Sequence, residues 1–249
     1  MKIRVIPSIL SDGVTVVKGE NFHNWRTVGN ASATAQLFSQ RNVDELMLLD
    51  VNSRSKNVHV NLELIEQFSS ILEVPFSVGG GINSLEDARK CIRSGAEKVV
   101  LCTSAVVNPE LVSEIANEFG SQAVVVAVDI KSDINDYILI NSGKASSNVR
   151  ATDFIKQLES RGAGELLLQS IDHDGMLLGM NEKAITAALD LTNIPVIASS
   201  GAGSLSDFSA IAKLGVSGIA AGAVFQFTQV TPNQVREHLR DLGISVRKV

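Results

Sequence analysis

Short, almost unbroken apolar runs alternate along the chain with stretches whose apolar residues recur every three or four positions. The runs are IRVIPSIL (3–10), ELMLLD (45–50), VPFSV (74–78), KVVLC (98–102), AVVVAVD (123–129), ELLLQS (165–170), IPVIAS (194–199) and GIAAG (218–222). They lack a polar face, as strands do when both sides of a parallel sheet are covered. The periodic stretches predict helices at 32–41, 61–72, 84–94, 109–118, 151–161, 182–191, 204–214 and 232–242. Ser84, Asn108-Pro109 and Thr231-Pro232 mark helix starts, and Gly95 and Gly215 mark stops. Eight strand–helix units in 249 residues predict a (β/α)8 TIM barrel forming a single domain over 1–249. An open doubly wound sheet would show the same periodicity.

Two connections exceed what a compact barrel needs, 11–31 and 131–150. Both follow the C-terminal ends of strands, the face where barrels place their active sites. The second contains DYILINSGK, a hairpin signal with an Asn-Ser-Gly turn. A repeat runs through the whole pattern. At an offset of 120, Gly81 lies over Gly201, Ser84 over Ser204, Asp87 over Asp207, Gly95 over Gly215 and Glu45 over Glu165. This register predicts two similar (β/α)4 halves.

Composition narrows the function classes. Apolar residues make up 45% of the chain and the net charge is −5, with the basic residues scattered. No clustered basic face is offered to nucleic acid. No apolar stretch reaches membrane-spanning length, and MKIRVIPSIL lacks the long apolar core and cleavage site of a signal peptide. Cys91 and Cys102 form neither a disulfide framework nor a metal-ligand spacing. The expectation is a cytoplasmic protein with no metal and no organic cofactor.

Candidate chemistry gathers at strand ends. The glycine-rich turns VGGGI (78–82) and SSGAG (199–203) leave backbone N–H groups unscreened, so that they can face an anion. Gly80 and Gly81 would act with Thr103, and Ser200 and Gly201 with Gly222 and Ala223. Two such cradles half a barrel apart suit a substrate with a phosphate at each end; a tight barrel turn is the plain alternative. Asp50, Asp129, Asp172 and Asp174 also lie on this face. A carboxylate ending an apolar strand is costly to bury without a reason. Asp129 is the best acid–base candidate, or else a structural tie for the 131–150 loop. Asp172-His173-Asp174-Gly175 reads as a loop contacting substrate, and Lys18 either reaches a phosphate or is simply solvated. His23, His59 and His238 read as surface residues. At the opposite end, Arg4, Glu45, Lys98 and Glu165 open apolar strands. Turned inward they form a neutralised ring across the barrel axis; turned outward they reach water.

The stretches VVKGENF (16–22), VDELMLLDV (43–51), PFSVGGGI (75–82), FGSQAVVVAVD (119–129), RGAGELLLQSIDHDG (161–175), IPVIASSGAG (194–203) and the C-terminal VREHLRDLGISVR resemble the cyclase subunit of imidazole glycerol phosphate synthase. The resemblance covers the whole chain. It implies a barrel of two halves that partners a glutamine amidotransferase, takes ammonia along its axis and acts on a ribonucleotide carrying two phosphates. By position it makes Arg4, Glu45, Lys98 and Glu165 a charged gate at the ammonia entrance and Asp129 one of two catalytic aspartates. Gly81, Thr103, Gly201 and Ala223 fall at phosphate-site positions, and Glu97 where barrel and glutaminase meet. The chain departs from the pattern where the second catalytic aspartate is expected. Leu10 stands there, with Asp12 two residues on as the substitute within reach in sequence. Cys102 replaces a phosphate-site Asn, Gln169 a substrate-contacting Thr, and Ser200 the second Gly of a GGAG turn. Divergent members with an apolar residue at the Leu10 position occur in surface-polysaccharide gene sets, which implies ammonia supply for amidation of a sugar. A barrel that only scaffolds its glutaminase is the third reading.

Overall fold

The computed structural model describes residues 2–41, 43–51 and 60–247. The first half contains β1 (Arg4–Ser11), β2 (Thr15–Glu20), β3 (His23–Asn30), α1 (Ala31–Gln40), β4 (Leu46–Asp50), α2 (Leu62–Ile71), β5 (Phe76–Gly79), α3 (Leu85–Arg93), β6 (Lys98–Leu101), α4 (Thr103–Val107) and α5 (Glu110–Phe119). The second contains β7 (Val124–Ile130), β8 (Tyr137–Ile140), β9 (Ala145–Arg150), α6 (Ala151–Leu158), β10 (Glu165–Ser170), α7 (Glu182–Leu191), β11 (Val196–Ser199), α8 (Leu205–Lys213), β12 (Gly218–Ala221), α9 (Ala223–Phe227) and α10 (Pro232–Asp241). Strands β1, β4, β5, β6, β7, β10, β11 and β12 pair in parallel in that order. The pairing of β12 with β1 closes the ring. The barrel is therefore closed, and the open sheet is excluded.

The two halves superimpose in sequence at the expected offset. Helices α3 and α8, strands β5 and β11, and helices α4 and α9 all begin 120 residues apart. Their local chemistry repeats as well. The Ser84 hydroxyl accepts from Asp87 N at 3.1 Å, and Asp87 accepts from Asn83 N at 3.0 Å. Asp207 accepts from Ser204 N at 2.9 Å and from Gly203 N at 2.8 Å. Each arrangement satisfies backbone donors that a helix start leaves open, worth about 1 kcal/mol per cap.

Alternation along the strands makes two apolar layers. Val5, Ile9, Val126, Val128, Leu166 and Leu168 face the helices, with Phe38, Phe68 and Phe208 in the same buried cluster. Ile6, Met47, Val100, Val125, Ala127, Leu167, Ile197 and Ala220 point inward and fill the axis as a separate cluster. The predicted 131–150 hairpin is present as β8–β9. The 11–31 connection holds a second hairpin, β2–β3, which its sequence pattern had not indicated. No helix of the described residues is long and apolar enough to cross a membrane.

Candidate functional site

At the base of the barrel, the four charges turn inward and pair with one another. Arg4 Nη1 lies 2.6 Å from Glu45 Oε2 and 2.9 Å from Glu165 Oε1. Lys98 Nζ lies 2.9 Å from Glu45 Oε1 and 3.3 Å from Glu165 Oε2. Every charge thus has two partners of opposite sign, the condition under which partly buried ions are tolerated. Burial pulls the Arg4 guanidinium downward, but the two glutamates outweigh it and the net movement is up. Lys2, Arg247 and Pro195 border the hollow outside this ring. Glu97 is exposed one residue before Lys98. A buried pair elsewhere had no sequence signal. Asp44 accepts from Val5 N at 2.9 Å and lies 3.3 Å from Arg236 Nη1, which ties α10 to the first barrel strand.

Above the ring lies the apolar column. Ser77 is fully buried on β5, and its Oγ has no hydrogen-bond partner among the described residues. The column opens into a mouth of about 1220 Å³, open to solvent.

Asp129 projects into this mouth from β7 and is 5% exposed. Its Oδ2 accepts from Cys102 Sγ at 3.3 Å, and its Oδ1 has no hydrogen-bond partner among the described residues. Burial pushes its pKa up to about 7, the thiol opposes this, and the Asp174 charge adds to it. A carboxyl group poised there can both take and give a proton near neutral pH. Asp174 lines the same mouth and is also raised, first by burial, against the pull of Lys18 and of the Ser200 hydroxyl at 3.3 Å.

Lys18 is not a solvated lysine. It is 4% exposed, and its ammonium donates to Ser8 O at 3.0 Å. Burial brings its pKa down to about 8 despite the Asp174 charge. A Cβ on Gly222 would fall on Lys18 Nζ and on the Ser8 carbonyl. Glycine at that position is what lets the amine sit beside the turn into α9. On the opposite wall, Gly80 has φ +101° and a Cβ there would strike the Asp50 backbone. Gly81, Gly201 and Ala223 complete the two turns, and Ser200 holds φ +78°, a left-handed conformation that serine rarely adopts. Thr103 accepts from Asn141 N at 2.9 Å, which brings the β8–β9 turn over the mouth. Asp50, Gln169 and Gly175 also line it.

The remaining expectations divide. Leu10 faces the mouth from the end of β1. Asp12 does not line it: its Oδ1 accepts from Val14 N at 3.0 Å and Thr15 N at 2.8 Å, in the turn between β1 and β2. These bonds hold its Oδ1 against local backbone donors in that turn. Asp172 is exposed, and His173 Nδ1 meets Ser170 Oγ at 2.9 Å. His23 is exposed as expected; His238 is half-buried with its Nε2 enclosed, because α10 turns that edge toward the body. His59 lies outside the described residues. Sequence reasoning missed Phe22 and Trp25, whose rings lie 6.5 Å apart and which the β2–β3 hairpin brings to the mouth.

Comparison with known proteins decides the family. A profile described as histidine biosynthesis protein matches residues 4–231. The chain belongs to this family. It is 40% identical over 246 residues to imidazole glycerol phosphate synthase subunit HisF of Dictyoglomus thermophilum, covering 98% of each chain. It is 37% identical over 254 residues to the subunit of the same name from Thermobifida fusca, covering 99% of each. Similarity to HisF subunits therefore spans the ring, the column and the mouth alike. In this histidine biosynthesis barrel, Leu10 and Cys102 occupy positions on the mouth itself.

Proposed function

We propose that this chain is the ammonia-using barrel of an imidazole glycerol phosphate synthase-type complex and forms a carbon–nitrogen bond on a doubly phosphorylated ribonucleotide. A glutamine amidotransferase docks at the base, around the ring and Glu97, and releases ammonia there. Ammonia passes the ring, follows the apolar column and arrives beneath Asp129. The turns at Gly80–Gly81 with Thr103, and at Ser200–Gly201 with Gly222, Ala223 and Lys18, hold the two phosphates. As nitrogen adds to a carbonyl carbon of the substrate, the C=O π pair moves onto oxygen and the nitrogen becomes cationic; Asp129 Oδ1 takes the nitrogen's proton, and the oxygen, once protonated, leaves as water. The observation that carries this reading is the order along one axis: a paired charge ring, an apolar column, then one carboxyl group whose pKa is about 7.

The test supplies purified barrel with ammonium salts and the family's ribonucleotide. Turnover that Asp129→Asn removes supports the reading. No turnover at saturating ammonia and ribonucleotide overturns it for this substrate. A second reading is favoured by Leu10, which leaves β1 without a carboxylate at the mouth. Loss of one of two acid–base groups typically costs 10²–10⁴-fold. In that reading the ammonia is destined for a sugar acceptor in surface-polysaccharide assembly, and glutamine-dependent amination of a phosphorylated sugar, with the ribonucleotide inert, would favour it.

A further inference from the structure

We propose that Cys102 is the positioning residue for Asp129: its thiol holds one carboxylate oxygen and leaves the other open as the atom that exchanges the proton. This rests on the reading of Asp129 as the acid–base group and deepens it. Cys102 follows β6 at the turn into α4, and Asp129 sits on the adjacent strand β7. The contact of 3.3 Å runs from Sγ to Oδ2. Oδ1 is enclosed and has no hydrogen-bond partner among the described residues, although the whole side chain is only 5% exposed. A buried acceptor left open is costly, and it points to a donor that arrives with the substrate.

The choice of a thiol has a chemical consequence. Arginine in its place would hold the carboxylate ionised and make it a poor base. With no donor, burial would keep the group protonated through the neutral range. A thiol is a weak donor, and it stands between these extremes. Among the described residues, the other charged groups facing the mouth are Asp174 and Asp50, with Lys18 beside Asp174; Gln169 on the neighbouring strand is neutral. Asp174 moves the carboxyl pKa in the same direction as burial, so the thiol is the group that opposes both. Cys91 is buried in α3, where burial pushes its pKa up to about 12.

The experiment titrates the Asp129 side-chain carboxyl by carbon-13 NMR in the full chain, with the signal assigned from Asp129→Asn. Cys102→Ala should move the midpoint upward by about one pH unit, the scale of a weak hydrogen bond to a charged group. Cys102→Ser, which keeps a donor, should restore most of it. In turnover with ammonium salts, the acid limb of kcat should move the same way while KM holds. A midpoint unmoved in Cys102→Ala, or equally raised in Cys102→Ser, overturns the assignment. Cys102→Val carries the same test if the alanine variant does not fold. A chain that turns over no ribonucleotide counts against the proposed function, and the carboxyl titration still decides the role of the thiol.

Discussion

Asp129→Asn should stabilise the barrel, and only above mildly acidic pH. The substitution keeps the shape of the side chain and lets the Cys102 thiol donate to the amide oxygen instead. What it removes is a charge held mainly against burial, which lifts the carboxyl pKa from an ordinary 3.8 to about 7. The sign follows from linkage. Because the folded chain holds this proton more tightly than the unfolded chain, the favourable contribution is complete below 3.8 and is lost as pH rises through 7. Each pH unit between the two values is worth about 1.4 kcal/mol, so the full penalty at pH 8 is about 4 kcal/mol. Asparagine carries no such penalty. Urea unfolding followed by circular dichroism from pH 4 to pH 9 should show variant and native chain converging at the acid end. Toward pH 8 the variant should be more stable by up to about 4 kcal/mol. A difference that is flat with pH, or a variant less stable at pH 8, would refute the claim that Asp129 is held ionised at a cost.

Three further outcomes follow from the same geometry. Glu45→Ala should cost about 3–5 kcal/mol in urea unfolding, because the 2% exposed carboxylate is shared by Arg4 and Lys98 and its loss leaves the two cations to share Glu165. Substrate KM should rise above about pH 8 as Lys18, whose pKa burial lowers to that value, loses its proton, and Lys18→Met should abolish this pH dependence. Leu10→Asp should raise ribonucleotide cyclisation toward the 10²–10⁴-fold that a second acid–base group typically supplies; unchanged turnover would show that position to be irrelevant to the chemistry.

The parts legible in the sequence were those where burial leaves no choice. Strands covered on both faces read as unbroken apolar runs, so β7 and β10 were found within a residue. The ring could be seen because a charged residue at the head of such a run has few destinations, although only coordinates showed that Arg4 and Lys98 turn toward the axis. Ser77 left no trace, since a serine in PFSV fits either face of a strand. The burial of Lys18 was invisible because it depends on a chain segment without alternation: in KGENFHNWRTVGN (18–30), Asn21, Phe22 and Asn24 take positive φ. Yet the repeat could have found that hairpin. Tyr137–Arg150 was recognisable, and the same offset of 120 projects it onto residues 17–30, where β2 and β3 lie.

The order of chemistry along the axis also limits what can travel it. Apart from the single Ser77 hydroxyl, the column is lined by Ile6, Met47, Val100, Val125, Leu167, Ile197 and Ala220, whose side chains carry no charge or strong hydrogen-bonding group for an ion. Moving an ammonium ion from water into such surroundings costs several kcal/mol even after relaxation, whereas neutral ammonia carries no such charge penalty. In the proposed reaction the nitrogen therefore leaves its proton behind at the base and has none to give up until it bonds to carbon. Only then does it become cationic, and the acceptor proposed for its proton is Asp129, whose pKa burial raises to about 7. A carboxylate with an ordinary pKa would be ionised but a weaker base by about three powers of ten, and one raised much further would already hold its proton. In the proposed reaction the apolar column and the raised pKa are two halves of one device: the first would deliver a base without its proton, and the second would wait for the proton that bonding creates. Charging the column should separate them. Leu167→Lys should block glutamine-dependent turnover while leaving turnover with external ammonium salts, which reach the mouth directly, much less affected. Equal loss of both would mean that the nitrogen does not travel the axis.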